Sequence, residues 1–115
     1  MKAEAKIQSE IVMWFRNNYC LRNHNPRYCI FSVPNERNNA AEVIRMKGTG
    51  LMKGVADLVV VMPNKIFFVE CKAENGVLSE AQVEFGFIMD ELGFDYFVIR
   101  SLDEFKRLFF TLNKK

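Results

Sequence analysis

The apolar positions of this chain alternate between helical and strand spacing, beginning with a helix. Residues 3 to about 19 carry large apolar side chains on one helical face, which predicts a helix there. Those side chains are Ile7, Ile11, Trp14 and Phe15. After a polar loop, the aromatic and branched residues from Tyr28 to Val33 predict a strand that ends at Pro34-Asn35. Asn38 to Met46 has helical character and leads into a connection rich in glycine.

Two further apolar runs follow each other in the middle of the chain and predict a β-hairpin. The strands extend from about Ala56 to Met62 and from Lys65 to Lys72. The turn at Pro63-Asn64 is too short for a crossover connection, so the two strands are expected to be antiparallel neighbours.

The last third of the chain predicts a helix, a strand and a final helix. Ser79 to Leu92 has helical spacing and is followed by Gly93, a natural stop. Asp95 to Arg100 reads as a strand, and Ser101 caps the final helix. The helix from Ser79 to Leu92 is expected to bury one face, which carries Ala81, Phe85, Ile88 and Leu92. The order α-β-(α)-β-β-α-β-α predicts an α/β fold with a mixed central sheet flanked by helices, because residues 65 to 100 suggest a parallel pair beside the hairpin.

Composition and charge narrow the class of protein without indicating a partner. The 115 residues are half apolar, which fits one globular domain over residues 1–115. Sixteen basic and fourteen acidic residues give a charge of +2, a bias too weak to indicate nucleic acid by itself. Three widely spaced cysteines and one histidine argue against zinc and disulfides and fit a reducing, cytoplasmic compartment. A membrane span and a signal-peptide core are not expected.

Three charged residues lie at the ends of the predicted hairpin strands. Alternate residues of a strand share a face, so Glu70 and Lys72 are expected side by side at the end of the second strand. Asp57 begins the antiparallel neighbour, across from that end. The hairpin spacing therefore brings Asp57 close to Glu70 without any long-range assumption.

Two carboxylates this close repel each other unless a cation lies between them. Oxygen ligands suit Mg²⁺ or Mn²⁺, and such a metal can activate a bound water. Lys72 could then orient the attacking water or stabilise developing charge. The alternative is a salt bridge between Lys72 and a carboxylate at the edge of the sheet, because so short a motif occurs often by chance.

The residues around these charges resemble a known family. The segments concerned are Pro34-Asn35-Glu36, Gly54-Val55-Ala56-Asp57-Leu58, Phe68-Val69-Glu70-Cys71-Lys72-Ala73, and Gly76-Val77-Leu78-Ser79 with Gln82. Together with Glu10 they are similar to the virus-type replication-repair nuclease (VRR-NUC) domain of the PD-(D/E)XK nuclease superfamily, along nearly the whole chain. Ala56 stands where the family usually has proline.

The resemblance implies a restriction-endonuclease-like fold and metal-dependent hydrolysis of DNA phosphodiesters that leaves 5′-phosphates. Asp57 and Glu70 would bind Mg²⁺ or Mn²⁺, with the backbone carbonyl of Cys71 as a further ligand. Glu10 would contribute directly or through water. Lys72 would assist the nucleophilic water, and Gln82 would lie near the lysine or the scissile phosphate. Similar viral and bacterial enzymes are homodimers that cleave branched DNA such as four-way (Holliday) junctions, so DNA repair in a bacterial or phage-infected cell is the expected setting.

Two of these residues have competing structural interpretations. Glu10 lies at the margin of the apolar stripe and could simply be a surface charge. Ser79-Glu80-Ala81-Gln82 fits the capping-box pattern, in which the glutamine side chain reaches back to the start of the helix. Capping and a role in the site could therefore compete for Gln82.

Basic residues flank the glycine-rich connection and are candidates for DNA contact. They are Arg37, Arg45, Lys47 and Lys53. Residues 35–54 contain only two acidic residues, Glu36 and Glu42, so this segment has a local excess of positive charge. Glycine beside basic residues suits close approach to a phosphate backbone, which gives affinity without base readout. An ordinary solvated loop is the alternative.

The aromatic and apolar content of the second half exceeds what one small core needs. An exposed share of these side chains would mark an interface, and a two-fold dimer would present two sites to two strands. The alternative is that all of them fit inside the core. The residues concerned are Phe87, Met89, Phe94, Phe97, Phe109 and Phe110. Besides a nuclease, two other functions are consistent with the chain: a non-catalytic DNA-binding module that keeps the nuclease fold, and an interaction protein with an incidental acidic pair.

Overall fold

The computed structural model describes residues 2–34 and 48–114, and this part of the chain forms a four-stranded sheet with three helices. The elements are α1 (Ala3–Tyr19), β1 (Cys29–Ser32), β2 (Leu58–Met62), β3 (Lys65–Cys71), α2 (Glu80–Glu91), β4 (Asp95–Ile99) and α3 (Leu102–Leu112). The predicted helix at Asn38–Met46 lies outside the described residues. The other predicted elements are confirmed, with ends that differ by at most two residues.

The sheet is mixed, as the sequence predicts. Its strand order is β1-β2-β3-β4, with antiparallel pairing between β1, β2 and β3 and parallel pairing between β3 and β4. The hairpin turn between Met62 and Lys65 consists of Pro63 and Asn64. Asn64 has a φ of 59°, a left-handed conformation that asparagine tolerates better than most residues.

One face of the sheet carries the hydrophobic core under α1 and α3. Alternate residues of β2 and β3 point to this face and are buried, which accounts for the branched and aromatic composition of both strands. The helices contribute Ile11, Phe15, Phe105 and Phe109, all completely buried. The rings of Phe15 and Phe109 meet edge to face at 5.1 Å. Truncating such a buried phenylalanine to alanine costs about 3–5 kcal/mol of stability.

Helix α2 covers the opposite face of the sheet. Phe85 is its buried anchor and meets Phe68 of β3 and Tyr96 of β4 edge to face, with centroids 5.6 and 5.8 Å apart. Leu92, predicted to point inward, is instead 65% exposed, because the helix ends at Glu91 and Leu92 is its C-cap. None of the helices in the described ranges is long and apolar enough to cross a membrane.

Candidate active site

Asp57 and Glu70 face each other at the open end of the hairpin. The register pairs Leu58 with Val69, so the next residue on each strand continues the pairing as Asp57 and Glu70. Asp57 Oδ2 accepts a hydrogen bond of 2.7 Å from the backbone nitrogen of Cys71, which ties this carboxylate to the end of β3. The predicted proximity of the two carboxylates is confirmed.

Glu70 is the most deeply buried charged residue of this cluster, with 2% of its surface exposed. Its Oε2 accepts a hydrogen bond, whereas its Oε1 is buried and has no hydrogen-bond partner among the described residues. Burial raises the pKa of Glu70 to about 8, and the negative charge of Asp57 acts in the same direction. The carboxyl pair therefore keeps a proton near neutral pH unless a cation takes its place.

Lys72 lies two residues after Glu70 and is also buried, with 9% of its surface exposed. Its backbone nitrogen donates to the carbonyl of Ile99 at 3.0 Å, so β4 fixes the main chain at this point. The positive charge of Lys72 lowers the pKa of Glu70, against the effects of burial and of Asp57. The ammonium group is thus within electrostatic reach of the carboxylate, as strand alternation predicts.

Gln82 joins the start of α2 to the carboxylate pair. It is the third residue of the helix, and it forms a capping box in which its Oε1 accepts from the backbone nitrogen of Ser79 at 2.8 Å. Its backbone nitrogen donates to Ser79 Oγ at 3.2 Å. The Nε2 atom donates to Glu70 Oε2 at 3.1 Å. Capping and the contact with Glu70 therefore do not compete, because they use different atoms of one amide. A catalytic role of Gln82 stays a prediction.

The helical carboxylate that reaches this site is Glu4, whereas the expected contribution of Glu10 to a metal site stays a prediction. Glu4 is half-buried, its Oε2 accepts a hydrogen bond of 3.4 Å from the Ala73 nitrogen, and its charge raises the pKa of Glu70. Glu10 is exposed. Six residues separate the two, which turns Glu10 about 120° away from Glu4 around the helix axis. Since Ile11 and Phe15 fix the buried side of α1, only Glu4 faces the sheet end.

Arg100 holds the loop that follows β3. Its Nη1 donates to the backbone carbonyls of Ala73, Glu74 and Gly76 at 2.7, 3.2 and 2.8 Å. Its own backbone nitrogen donates to Glu104 Oε1 at 2.7 Å. The three carbonyls belong to the residues directly after Lys72, so Arg100 fixes the path by which the chain leaves the site.

Gly54 allows α2 to approach the strand that carries Asp57. It is buried and has a φ of +87°, a conformation that residues with a side chain rarely adopt. A Cβ at Gly54 would lie 2.3 Å from the carbonyl oxygen of Ala81 in the first turn of α2. The glycine thus lets the helix start, with Gln82, come close to the carboxylate pair.

The thiol of Cys71 is unreactive in this environment. Burial raises its pKa to about 12, and the negative charges of Asp57, Glu70 and Glu4 add to the effect. Cys71 therefore stays protonated near neutral pH and is neither a nucleophile nor a thiolate ligand. The predicted role of its backbone carbonyl as a metal ligand stays a prediction.

The predicted DNA contacts lie mostly beyond what the structure describes. Arg37, Arg45 and Lys47 fall outside the described residues, as do Asn35 and Glu36 of the predicted motif. Lys53 is described and exposed, immediately before Gly54. A cationic side chain at this position is open to a phosphate backbone.

The carboxylate pair has the chemistry of a partial site for a divalent cation. Within residues 2–34 and 48–114, no three His, Cys, Asp or Glu side chains are grouped closely enough to enclose a metal ion by themselves. Asp57 and Glu70 nevertheless offer anionic oxygens on one face, and Glu70 Oε1 is a buried acceptor without a partner among these residues. This set fits Mg²⁺ or Mn²⁺, which are often held by one or two carboxylates and keep several waters.

The fold is shared with a solved nuclease-type structure. A VRR_NUC domain protein matches with a TM-score of 0.74 at 17% sequence identity, over 96% of this chain and 88% of that chain. At this identity the similarity shows the fold, an α/β arrangement of the restriction-endonuclease-like class.

The sequence places the chain more narrowly within that class. The model of the VRR-NUC domain family matches residues 2–103, and the chain therefore belongs to the VRR-NUC family. It carries a nuclease-fold domain of the kind that processes DNA. No curated protein matches this chain.

Glu4 and Arg100 are not among the site residues predicted from the sequence, although the sequence carries a signal for Glu4. Glu4 precedes Ile7 by three residues and Ile11 by seven, so it lies within the apolar stripe itself. A charged residue in that position indicates a functional or structural partner. Arg100 ends a strand, and no local pattern shows that its side chain turns toward the loop after β3.

Proposed function

We propose that this protein is a Mg²⁺- or Mn²⁺-dependent endodeoxyribonuclease that hydrolyses phosphodiester bonds and leaves 5′-phosphates. One observation carries the proposal: half-buried Asp57 pairs with buried Glu70, one oxygen of Glu70 has no partner among the described residues, and buried Lys72 lies beside them. A buried acid next to a second carboxylate and a buried lysine are costly for a fold of this size, which favours a role in chemistry over a role in stability. Membership of a DNA-processing family agrees with it.

Asp57 and Glu70 would hold the cation, with the Cys71 carbonyl and Glu4 as further oxygen donors, directly or through water. When bound, such an ion lowers the pKa of a water molecule and stabilises the charge that develops on the phosphate. Hydrogen bonds within the protein already orient both carboxylates. The Cys71 nitrogen orients Asp57, and Gln82 Nε2 orients Glu70.

Lys72 would supply a fixed positive charge next to the reacting phosphate. Its main chain is tied to β4 and its side chain is largely screened from solvent. A buried ammonium group near the phosphate stabilises developing negative charge more strongly than an exposed one, because the local dielectric is lower. It can also hold the attacking water by a hydrogen bond.

The DNA would be bound through its phosphates and selected by shape. Lys53 is exposed in the segment before Gly54, and the sequence adds Arg37, Arg45 and Lys47. Such contacts position a duplex without reading bases. We propose branched DNA, such as a four-way junction, as the substrate, and the cytoplasm of a bacterial or phage-infected cell as the setting. The three cysteines are free thiols, which suits a reducing compartment.

A homodimer would present two such sites to a branched substrate. Exposed apolar side chains near the start and middle of α2 support an interface: Val77 is 82%, Val83 55% and Phe87 62% exposed. The mass in solution of wild-type protein, Phe87→Ser and, as a matched control on α3, Phe110→Ser would test it by light scattering. The dimer predicts that only Phe87→Ser is monomeric. A wild-type monomer at micromolar concentration would rule it out.

The test of the activity is a cleavage assay on linear, nicked, flap and four-way-junction DNA with Mg²⁺, Mn²⁺ or a chelator. Wild-type protein should cleave only with metal, whereas Asp57→Ala, Glu70→Ala and Lys72→Ala should lose about 100-fold or more of the rate while remaining folded. Full activity of Glu70→Ala with Mg²⁺ would refute the mechanism. Salt-sensitive DNA binding without cleavage by the wild-type protein would instead indicate a non-catalytic binding module.

A further inference from the structure

Tyr96 brings a hydroxyl group to the same face of the sheet as the carboxylate pair. The parallel register pairs Tyr96 with Phe68, and strand alternation gives Phe68 and Glu70 the same side. The tyrosine ring lies against Phe85 and over Gly86 of α2. A Cβ at Gly86 would be only 2.9 Å from Tyr96 Cδ2, so the absence of a side chain there allows the close packing. The ring is held in place by the sheet and the helix together.

The hydroxyl of this ring adds nothing to that packing. Tyr96 Oη is buried and has no hydrogen-bond partner among the described residues. A buried polar group without a partner destabilises the folded state, and phenylalanine would fill the same space without this cost. A native hydroxyl in such a position calls for an explanation.

A second partnerless oxygen lies on the same face. In the described part of the chain, two buried side-chain polar atoms lack a partner, and these are Tyr96 Oη and Glu70 Oε1. One is a hydrogen-bond donor and the other is an acceptor. Burial raises the pKa of Tyr96, and the charges of Glu70 and Asp57 raise it further. The phenol therefore stays protonated and lies within electrostatic reach of both carboxylates.

We propose that Tyr96 is a positioning residue of the active site, whose hydroxyl donates a hydrogen bond to one bound water that in turn donates to Glu70. Glu70 would then be held from two sides, by Gln82 on Oε2 and by Tyr96 toward Oε1, in the orientation that receives the cation. This inference rests on the proposed metal-dependent function. It assigns to β4 a contribution to the site beyond pairing with β3.

The test compares Tyr96→Phe with Tyr28→Phe, which removes a hydroxyl from the opposite side of the sheet. Tyr28 Oη donates to Asn113 Oδ1 at 3.2 Å, between the core helices and far from the acidic pair. The measurements are the Kd for Mn²⁺ by calorimetry, the cleavage rate at limiting Mn²⁺, and the metal-free Tm. Tyr96→Phe should raise the Kd about tenfold and slow cleavage without lowering Tm. Tyr28→Phe should lower Tm and keep the wild-type Kd.

The outcomes separate this inference from the proposed function. If wild-type protein binds Mn²⁺ and cleaves DNA, and Tyr96→Phe does both equally well, the positioning role is overturned while the nuclease function stands. A lowered Tm with an unchanged Kd also overturns it, because the hydroxyl would then be purely structural. If wild-type protein neither binds Mn²⁺ nor cleaves, the proposed function fails and this inference fails with it.

Discussion

Gln82 and Glu70 are joined by a hydrogen bond of 3.1 Å from the amide nitrogen of one to the carboxylate of the other. The amide oxygen of the same glutamine caps α2 through the backbone nitrogen of Ser79. One side chain thus couples the position of a helix to the orientation of a buried acid. A catalytic side chain held by such supporting contacts is already in its working geometry before substrate arrives.

The two functions of Gln82 can be separated by comparing Gln82→Ala with Ser79→Ala. Each variant breaks the capping box and should lose about 1 kcal/mol of unfolding free energy. Gln82→Ala alone also removes the hydrogen bond to Glu70, so it should slow cleavage by about tenfold, whereas Ser79→Ala keeps the wild-type rate. Denaturant unfolding and single-turnover cleavage measure both effects. Equal rates for the two variants would show that the contact with Glu70 is not used.

The stability of the metal-free protein should fall as pH rises because of Glu70. Its pKa is raised from 4.5 to about 8, mainly by burial and by Asp57. The folded state therefore binds this proton more tightly than the unfolded state, and the resulting stability is complete below about 4.5 and lost as pH rises through about 8. Glu70→Gln, which cannot titrate, should lack this component.

Unfolding at pH 5, 7 and 9 with a chelator present measures this dependence. The wild-type protein should become progressively less stable relative to Glu70→Gln across this range. Adding Mn²⁺ at pH 9 should restore the stability of the wild-type protein, because the cation replaces the proton. The stability of Glu70→Gln should change little. A constant stability difference between the two proteins from pH 5 to pH 9 would contradict the raised pKa.

The close approach of α2 to the site can be tested at Gly54, with Gly93 as a matched control. The two glycines have φ values of +87° and +89°, so alanine is strained by about 1–3 kcal/mol at either position. At Gly54 the new Cβ would also meet the Ala81 carbonyl at 2.3 Å, whereas at Gly93 nothing lies within 4 Å. Gly54→Ala should therefore destabilise more.

The rates of DNA cleavage should also differ between Gly54→Ala and Gly93→Ala. Pushing α2 outward should move Gln82 away from Glu70, so Gly54→Ala should cleave about tenfold or more slowly, while Gly93→Ala retains wild-type activity under folding conditions. Thermal melts and initial rates provide the comparison. A fully active Gly54→Ala would mean that the helix start can shift without consequence for the site.

The assignment of the helical carboxylate can be decided with Glu4→Gln and Glu10→Gln. Both changes remove one charge from the same helix, but Glu4 lies beside the loop after Lys72 and Glu10 is exposed. Glu4→Gln should weaken Mn²⁺ binding by about tenfold and slow cleavage, since it replaces an anionic oxygen near the proposed cation by a neutral amide. Glu10→Gln should be indistinguishable from wild type. The reverse pattern would restore Glu10 to the site.

The central part of the site could be predicted because its geometry is local. A two-residue turn fixes the register of β2 and β3, and the two-residue repeat of a strand places Glu70 and Lys72 on one side. Asp57 then falls opposite Glu70. The Ser79-to-Gln82 capping box is equally local, since it lies within one helical turn.

What the sequence by itself determined about this protein is therefore the hairpin with Asp57, Glu70 and Lys72, and the family to which they point. The tertiary structure decided which side of α1 meets that hairpin, because the helix is rotated by the packing of Ile11 and Phe15 against the distant α3. That rotation brings Glu4 to the site and leaves Glu10 in solvent. Contacts between elements far apart in sequence have no fixed spacing, so the place of Glu4 within the apolar stripe of α1 could indicate a partner but not which one.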